Sequence, residues 1–152
     1  MSAAEKDIAF QAPVEWAIAR ELARKCKGSV SPNGLGRDGH KDFVLHWPVG
    51  VEVKCDYKAK ETGNVYLETF NSYRKQPSGL TATKALIWAH YIPGHAKFYT
   101  FKPKEMVAWL DGGGTAGVRR VEKCGDNNSD GYLVPLKIFA TLGFVKEHEL
   151  MI

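Results

Sequence analysis

The sequence predicts an α/β fold in which one long helix precedes a series of strands and short helices. Segment 13–27 has no internal glycine and ends at Gly28, which is typical of a helix with a glycine stop. From Asp42 onward the chain changes to short runs of β-branched and aromatic residues separated by turn residues, which is typical of strands. No repeat or linker divides the chain, so residues 1–152 are predicted to form a single domain.

The strands are predicted in the following order. A turn-rich loop over 31–41 leads to three consecutive strands over 42–47, 51–57 and 64–70. A short helical turn then passes into a strand within 81–92, which is expected to pair with 95–101 across Pro93 and Gly94.

The last third of the chain mixes helices and strands. Segment 102–110 has a proline near its start and glycines after it, which favours a short helix. Segments 117–123 and 132–135 are predicted as strands on either side of a loop over 124–131. A last helix is predicted over 136–144.

Composition excludes several classes of protein. No apolar stretch approaches the roughly 18 residues that a membrane span needs, and the first residues lack the apolar block of a secretory signal. We therefore expect a cytoplasmic protein with no membrane association. Its three cysteines show no metal-binding spacing and are expected to be reduced thiols. The net charge of +4 permits a phosphate-bearing partner without requiring one.

Glu52, Val53 and Lys54 are the strongest local signal. Alternate residues of a strand share a face, so the carboxylate and the ammonium project to the same side. Taken alone, this pattern more often indicates an exposed face with an ion pair. If the hairpin pairs Asp42 with Lys54, Asp42 lies on the same face as Glu52 and Lys54. A shift of the pairing register by one residue would put Asp42 on the opposite face.

Two carboxylates and a lysine on one face would form a site for phosphodiester hydrolysis. Oxygen ligands from Asp42 and Glu52 suit Mg²⁺, with Mn²⁺ as a substitute. A lysine beside the ion can activate the attacking water and stabilise charge on the phosphate.

These residues resemble the PD-(D/E)xK nuclease superfamily, in which an Asp at a strand start is followed by Glu-x-Lys on the neighbouring strand. Nine residues separate Asp42 from Glu52 here, and Lys41 replaces the Pro of the family name. Segments 52–68, 77–80 and 125–135 further resemble small phage-encoded members. The resemblance implies a restriction-endonuclease-like αβββαβ core, with a mixed central sheet flanked by helices. It also implies a magnesium-dependent DNA endonuclease, located in the host cytoplasm if it is phage-encoded.

Glu15 falls in the middle of the apolar face of the first predicted helix, near Ile18 and Leu22. A carboxylate there needs a partner. It is either half of a buried structural ion pair or, as the resemblance to Holliday-junction-resolvase-like members implies, a further catalytic and metal-binding residue.

Other acids and bases are open to two interpretations. Glu68 shares a strand face with Tyr66 and either borders the same cleft or is an exposed strand carboxylate. Asp38 and His40 are rivals to Asp42, although an Asp beside Gly is more often a turn former. His46 is expected to be structural.

DNA contacts are predicted from basic residues near the proposed site. Tyr73 either stacks on an unpaired base or is packed in the protein, the latter being the more common case. The predicted DNA-binding residues are Arg37, Lys41, Tyr73, Arg74 and Lys75. Because cutting both strands of DNA requires two active sites, we expect a homodimer. The alternative is a catalytically inactive DNA-binding or accessory phage protein on the same fold.

Overall fold

The computed structural model describes residues 3–26, 30–32, 43–45, 49–124 and 128–150. The helices are α1 (Ala3–Cys26), α2 (Ala59–Thr62), α3 (Pro103–Asp111) and α4 (Leu136–Phe139). The strands are β1 (Val30–Pro32), β2 (Phe43–Leu45), β3 (Val49–Cys55), β4 (Asn64–Asn71), β5 (Gln76–Pro77), β6 (Ile87–Tyr91), β7 (Lys97–Phe101), β8 (Arg119–Cys124), β9 (Ser129–Pro135) and β10 (Lys146–Glu149).

The strands form two sheets. The central sheet has six strands in the order β1-β2-β3-β6-β7-β10, and it is mixed because β3 and β6 are parallel. The second sheet is antiparallel, with the order β5-β4-β9-β8. The prediction of an α/β fold with a mixed sheet is confirmed. The third predicted strand, β4, lies in the second sheet, and β6 pairs with β3 instead.

Helix α1 covers one face of the central sheet. Its buried side chains, which include Ile18 and Leu22, form one core with Val51 and Val53 of β3. The helix begins at Ala3 and contains Pro13, so its predicted start was wrong. The residues before Pro13 are mostly good helix formers, and they extend the helix backward. No described helix, α1 included, is long and apolar enough to cross a membrane.

The opposite face of the central sheet packs against the second sheet, α3 and α4. Aromatic residues of β6 and β7 meet aliphatic residues of β4 and β9 in this second core, and the ring of Phe139 lies at its centre. Other buried members of this core are Trp88, Tyr99, Phe101, Leu67, Met106 and Leu110.

The C-terminal segment differs from its prediction. Helix α4 ends at Phe139, and the chain then forms β10, which pairs with β7 and becomes an edge of the central sheet. The sequence of β10, Lys-Glu-His-Glu, has no apolar alternation, so nothing in it indicates a strand. Its anchor is His148, whose ring stacks on Phe98 with centroids 4.7 Å apart. Strand β9 also begins earlier than predicted, at Ser129.

Candidate active site

Strand β3 places Glu52 and Lys54 on one face. Val51 and Val53 are 0% and 3% exposed and point toward α1. The alternate residues Glu52 and Lys54 are half-buried and project to the other side of the sheet, since successive side chains of a strand point to opposite faces. The two side chains named by the sequence pattern are therefore neighbours on one surface.

The register of the hairpin can be followed over its described part. Phe43 lies opposite Val51, whereas a pairing of Asp42 with Lys54 would require Phe43 opposite Val53. The two registers differ by two residues, so both give the same alternation of faces. Six residues considered from the sequence lie outside the described residues: Arg37, Asp38, His40, Lys41, Asp42 and His46.

Lys54 borders a cleft of about 510 Å³ between the end of β3 and the second sheet. We call it the Lys54 cleft. Its charged and aromatic lining residues are Lys54, Asp56, Tyr57, Lys58, Tyr66, Glu68 and Arg119. Glu68, which the sequence left open, thus lines the same cleft as Lys54.

Glu52 lies beside the segment that leads into β6. The hydroxyl of Thr83 donates a hydrogen bond to Glu52 Oε2 at 3.4 Å, and Oγ1 of Thr83 accepts one from the amide of Ala85. Thr83 also lines a groove of about 1020 Å³, which we call the Thr83 groove. Lys84 and Lys102 line this groove too.

A buried polar chain joins β3 to β6 behind the cleft. The indole of Trp88 donates to Nδ1 of His90 at 3.3 Å, and Nε2 of His90 lies 3.2 Å from Oδ2 of Asp56. Because an indole only donates, Nδ1 accepts and Nε2 carries the proton that is donated to Asp56. The sequence analysis missed this chain, although a single histidine inside the apolar run of β6 was a signal that a buried partner exists.

Asp56 also fixes the wall of the cleft. Its Oδ1 accepts the amide of Ala59 at 3.1 Å and its Oδ2 the amide of Tyr66 at 2.9 Å. Burial raises the pKa of Asp56, but the interaction with His90 and these two amides outweighs burial and leaves the pKa below its usual range. The carboxylate therefore remains charged and ties β3 to α2 and β4.

Tyr66 forms the floor of the cleft. Its hydroxyl hydrogen-bonds with Oγ of Ser129 at 2.8 Å. A Cβ at Gly131 would lie 2.9 Å from the Tyr66 ring and would collide with the carbonyl oxygen of Leu67, so only glycine fits beneath the tyrosine. Burial, opposed by the Ser129 hydrogen bond and assisted by the charge of Glu68, raises the pKa of Tyr66 to about 12.

Glu15 is half-buried, and its neighbour Ile18 is fully buried. The apolar side of α1 packs on the Val51 and Val53 face of β3, so this part of the helix lies across the strand from Lys54. The role of Glu15 stays a prediction.

The predicted DNA-binding turn lies between β4 and β5. Tyr73 is 81% exposed, so the expectation of a packed tyrosine was wrong. Arg74 and Lys75 are also exposed. The turn is anchored by Ser72, whose hydroxyl donates to Asp130 Oδ1 at 2.5 Å.

No protein-family model matches the chain, and no curated protein matches it significantly in sequence. The resemblance to nucleases therefore rests on the sequence motif of Asp42, Glu52 and Lys54.

The donor set for a metal is incomplete within the described ranges. No group of three or more His, Cys, Asp or Glu side chains in them could hold an ion. Glu52 supplies one half-buried carboxylate with oxygen chemistry that suits Mg²⁺. The second predicted ligand, Asp42, lies outside these ranges.

Proposed function

We propose that the protein is a Mg²⁺-dependent DNA endonuclease of the PD-(D/E)xK type. One observation carries this proposal: Glu52 and Lys54 share the half-buried face of β3 next to a cleft with further cationic side chains. An exposed pair on a solvated strand would have no such cleft beside it. The resemblance then supplies the reaction, the hydrolysis of a phosphodiester bond.

The proposed roles follow from charge and position. Glu52 and Asp42 would hold a Mg²⁺ ion, which supplies a Lewis acid for the phosphate. Lys54 forms no ion pair with any described residue, so its ammonium is available to orient the attacking water and to stabilise charge on the phosphate oxygens. Glu15 joins this set only through the resemblance.

The proposed restriction-endonuclease-like core has partial support. A long helix on one face, the β2–β3 hairpin and a parallel strand beside β3 agree with it. The position of β4 in a second sheet departs from it. A homodimer remains expected for cutting both strands of a duplex.

A nicking assay on supercoiled plasmid tests the proposal. We expect cutting in Mg²⁺ or Mn²⁺, none with a chelator, and loss of cutting in Glu52→Gln with DNA binding retained. Glu105→Gln is the matched control, because Glu105 is an exposed carboxylate on α3 and its replacement should leave cutting unchanged.

Two results would contradict the proposal. Normal cutting by Glu52→Gln would remove Glu52 from the metal site. A wild-type protein that binds DNA but does not cut it with either ion would instead support the catalytically inactive DNA-binding alternative.

A further inference from the structure

The Lys54 cleft follows β4 over three lining residues, Asn64, Tyr66 and Glu68. It is lined by Asn64 at the start of this strand and by Ser129, which pairs with Asn71 at its end. The four residue steps between Asn64 and Glu68, which both line the cleft, correspond to about 13 Å. A volume of about 510 Å³ is that of a small-molecule site. The cleft therefore has the size to hold a short segment of one nucleic-acid strand.

The charges of the cleft favour an anionic chain. Lys54, Lys58 and Arg119 line it, and no described residue forms an ion pair with any of the three. Two carboxylates are also present. Asp56 and Glu68 each carry a negative charge, so the three cations leave the lining with one net positive charge.

Aromatic side chains stand at both ends. Tyr57 is 46% exposed beside Lys58 at one end. At the other end Asn71 pairs with Ser129 and the amide of Ser72 donates to Asn128, so the turn that carries Tyr73 follows directly. Cations along a groove combined with exposed aromatic rings are the usual platform for unpaired bases.

We propose that the Lys54 cleft and the β4–β5 turn together bind a single unpaired DNA strand. Lys58 and Arg119 contact its phosphates, while Tyr57 and Tyr73 stack on bases at the two ends. The inference rests on the proposed function in one respect, which is that the bound strand leads to Lys54. It narrows the substrate class to DNA with an unpaired segment, such as a flap, a frayed end or a single strand.

Fluorescence anisotropy in the presence of a chelator tests this inference without any catalysis. The probes are a labelled oligothymidylate and a blunt hairpin duplex with an equal number of phosphates. We expect the single strand to bind at least about tenfold more tightly than the duplex. Equal or tighter binding of the duplex would overturn the inference.

Variants locate the strand. Tyr57→Ala and Tyr73→Ala should each weaken single-strand binding at least about fivefold, while Tyr57→Phe keeps the ring and should bind normally. Arg119→Glu should weaken binding and reduce its salt dependence. Lys137→Glu, an exposed lysine on α4 outside the cleft, is the matched control. The replaced side chains are exposed, and thermal melts check that each variant is folded.

Three further results would overturn the inference or separate it from the proposed function. Loss of binding in Lys84→Glu and Lys102→Glu, with Arg119→Glu unaffected, would place the strand in the Thr83 groove and refute the inference. A protein that binds single strands through Tyr57 and Arg119 but does not cut in Mg²⁺ would refute the proposed function alone. A protein that cuts duplex DNA without preferring single strands would refute the inference alone.

Discussion

The two faces of the central sheet differ in what they leave accessible. On one face α1 covers β3, and Val51 and Val53 are at most 3% exposed. On the other face Trp88 of β6 belongs to the second core, which the second sheet, α3 and α4 share, whereas none of the described residues of β3 belongs to it. Trp88 and His90 of β6 are 3% and 0% exposed, whereas Glu52, which pairs with Trp88, is half-buried.

This difference in exposure shows where a polar site can form on a packed sheet. A helix that lies along a strand buries one whole face, and only apolar side chains are stable there. The second core does not include β3, so charged residues of β3 reach solvent while the backbone beneath them is paired with β2 and β6. Rigid elements beside an open edge are the usual support of a binding or catalytic site.

Lys54→Ala is expected to have the largest effect on the open face. If the lysine acts on water and phosphate, cutting should fall about 10²- to 10⁴-fold, while affinity for Mn²⁺ changes much less. Single-turnover cleavage and Mn²⁺ titration measure the two quantities. If the cleavage rate and the affinity for Mn²⁺ fell equally, Lys54 would be a structural residue, and the two faces of the sheet would not differ in function.

Asp56→Asn tests whether the buried chain supports the open face. Either orientation of the amide sets an N–H group against at least one donor among Ala59, Tyr66 and His90, which should lower the free energy of unfolding by about 1–3 kcal/mol. Urea unfolding at neutral pH measures this loss. An unchanged midpoint would show that the chain does not hold the end of β3.

The same variant should change the pH dependence of stability. The pKa of Asp56 is lower in the folded protein than its ordinary value, so its stabilisation is present above the unfolded pKa of about 4 and is lost as the pH falls through the folded value. We expect Asp56→Asn to be less sensitive to acid than the wild type in this range. If both proteins lost stability identically as the pH falls, the stabilisation assigned to the charged form of Asp56 would be contradicted.

Much of the fold follows from local patterns in the sequence. Strands β3 and β4 could be predicted from their alternation of apolar and polar residues, and α3 from the proline near its start and the glycines after it. Each of these patterns depends only on residues within or next to the element. Strand β10 lies at an edge and is held by pairing with β7, which no local pattern records. The position of β4 in a second sheet also depends on pairing between residues that are far apart in the sequence.

The candidate site was predictable only in part. Glu52 and Lys54 share a face because alternate residues of any strand do. Their spacing in the sequence was therefore sufficient to predict that they are neighbours. The chain from Trp88 through His90 to Asp56 joins two strands that are more than thirty residues apart in sequence. The cleft needs a strand end and a separate sheet, and neither can be derived from spacing.

Glu15→Gln tests the separation of the two faces directly. Because α1 packs across β3 from Lys54, we expect cutting by this variant to fall less than about tenfold, well below the effect of Lys54→Ala. Cleavage rates and thermal melts with and without Mg²⁺ measure the effect. A loss as large as that of Lys54→Ala, with unchanged or higher stability of the metal-free protein, would instead place Glu15 in the metal site as the resemblance implies.

Glu68→Gln should have the smallest effect, and it decides how far the proposed metal site extends into the cleft. If Glu68 only opposes the cations of the cleft, its neutralisation should strengthen single-strand binding about two- to fivefold, in line with the weak interactions of partly exposed charges. High salt should remove this gain, and cutting should stay within about twofold of the wild type. Glu61→Gln removes the same charge from an exposed position on α2 outside the cleft lining, so it is the matched control. Loss of cutting in Glu68→Gln as complete as in Glu52→Gln would make Glu68 a ligand, and the metal site would then bridge both sheets.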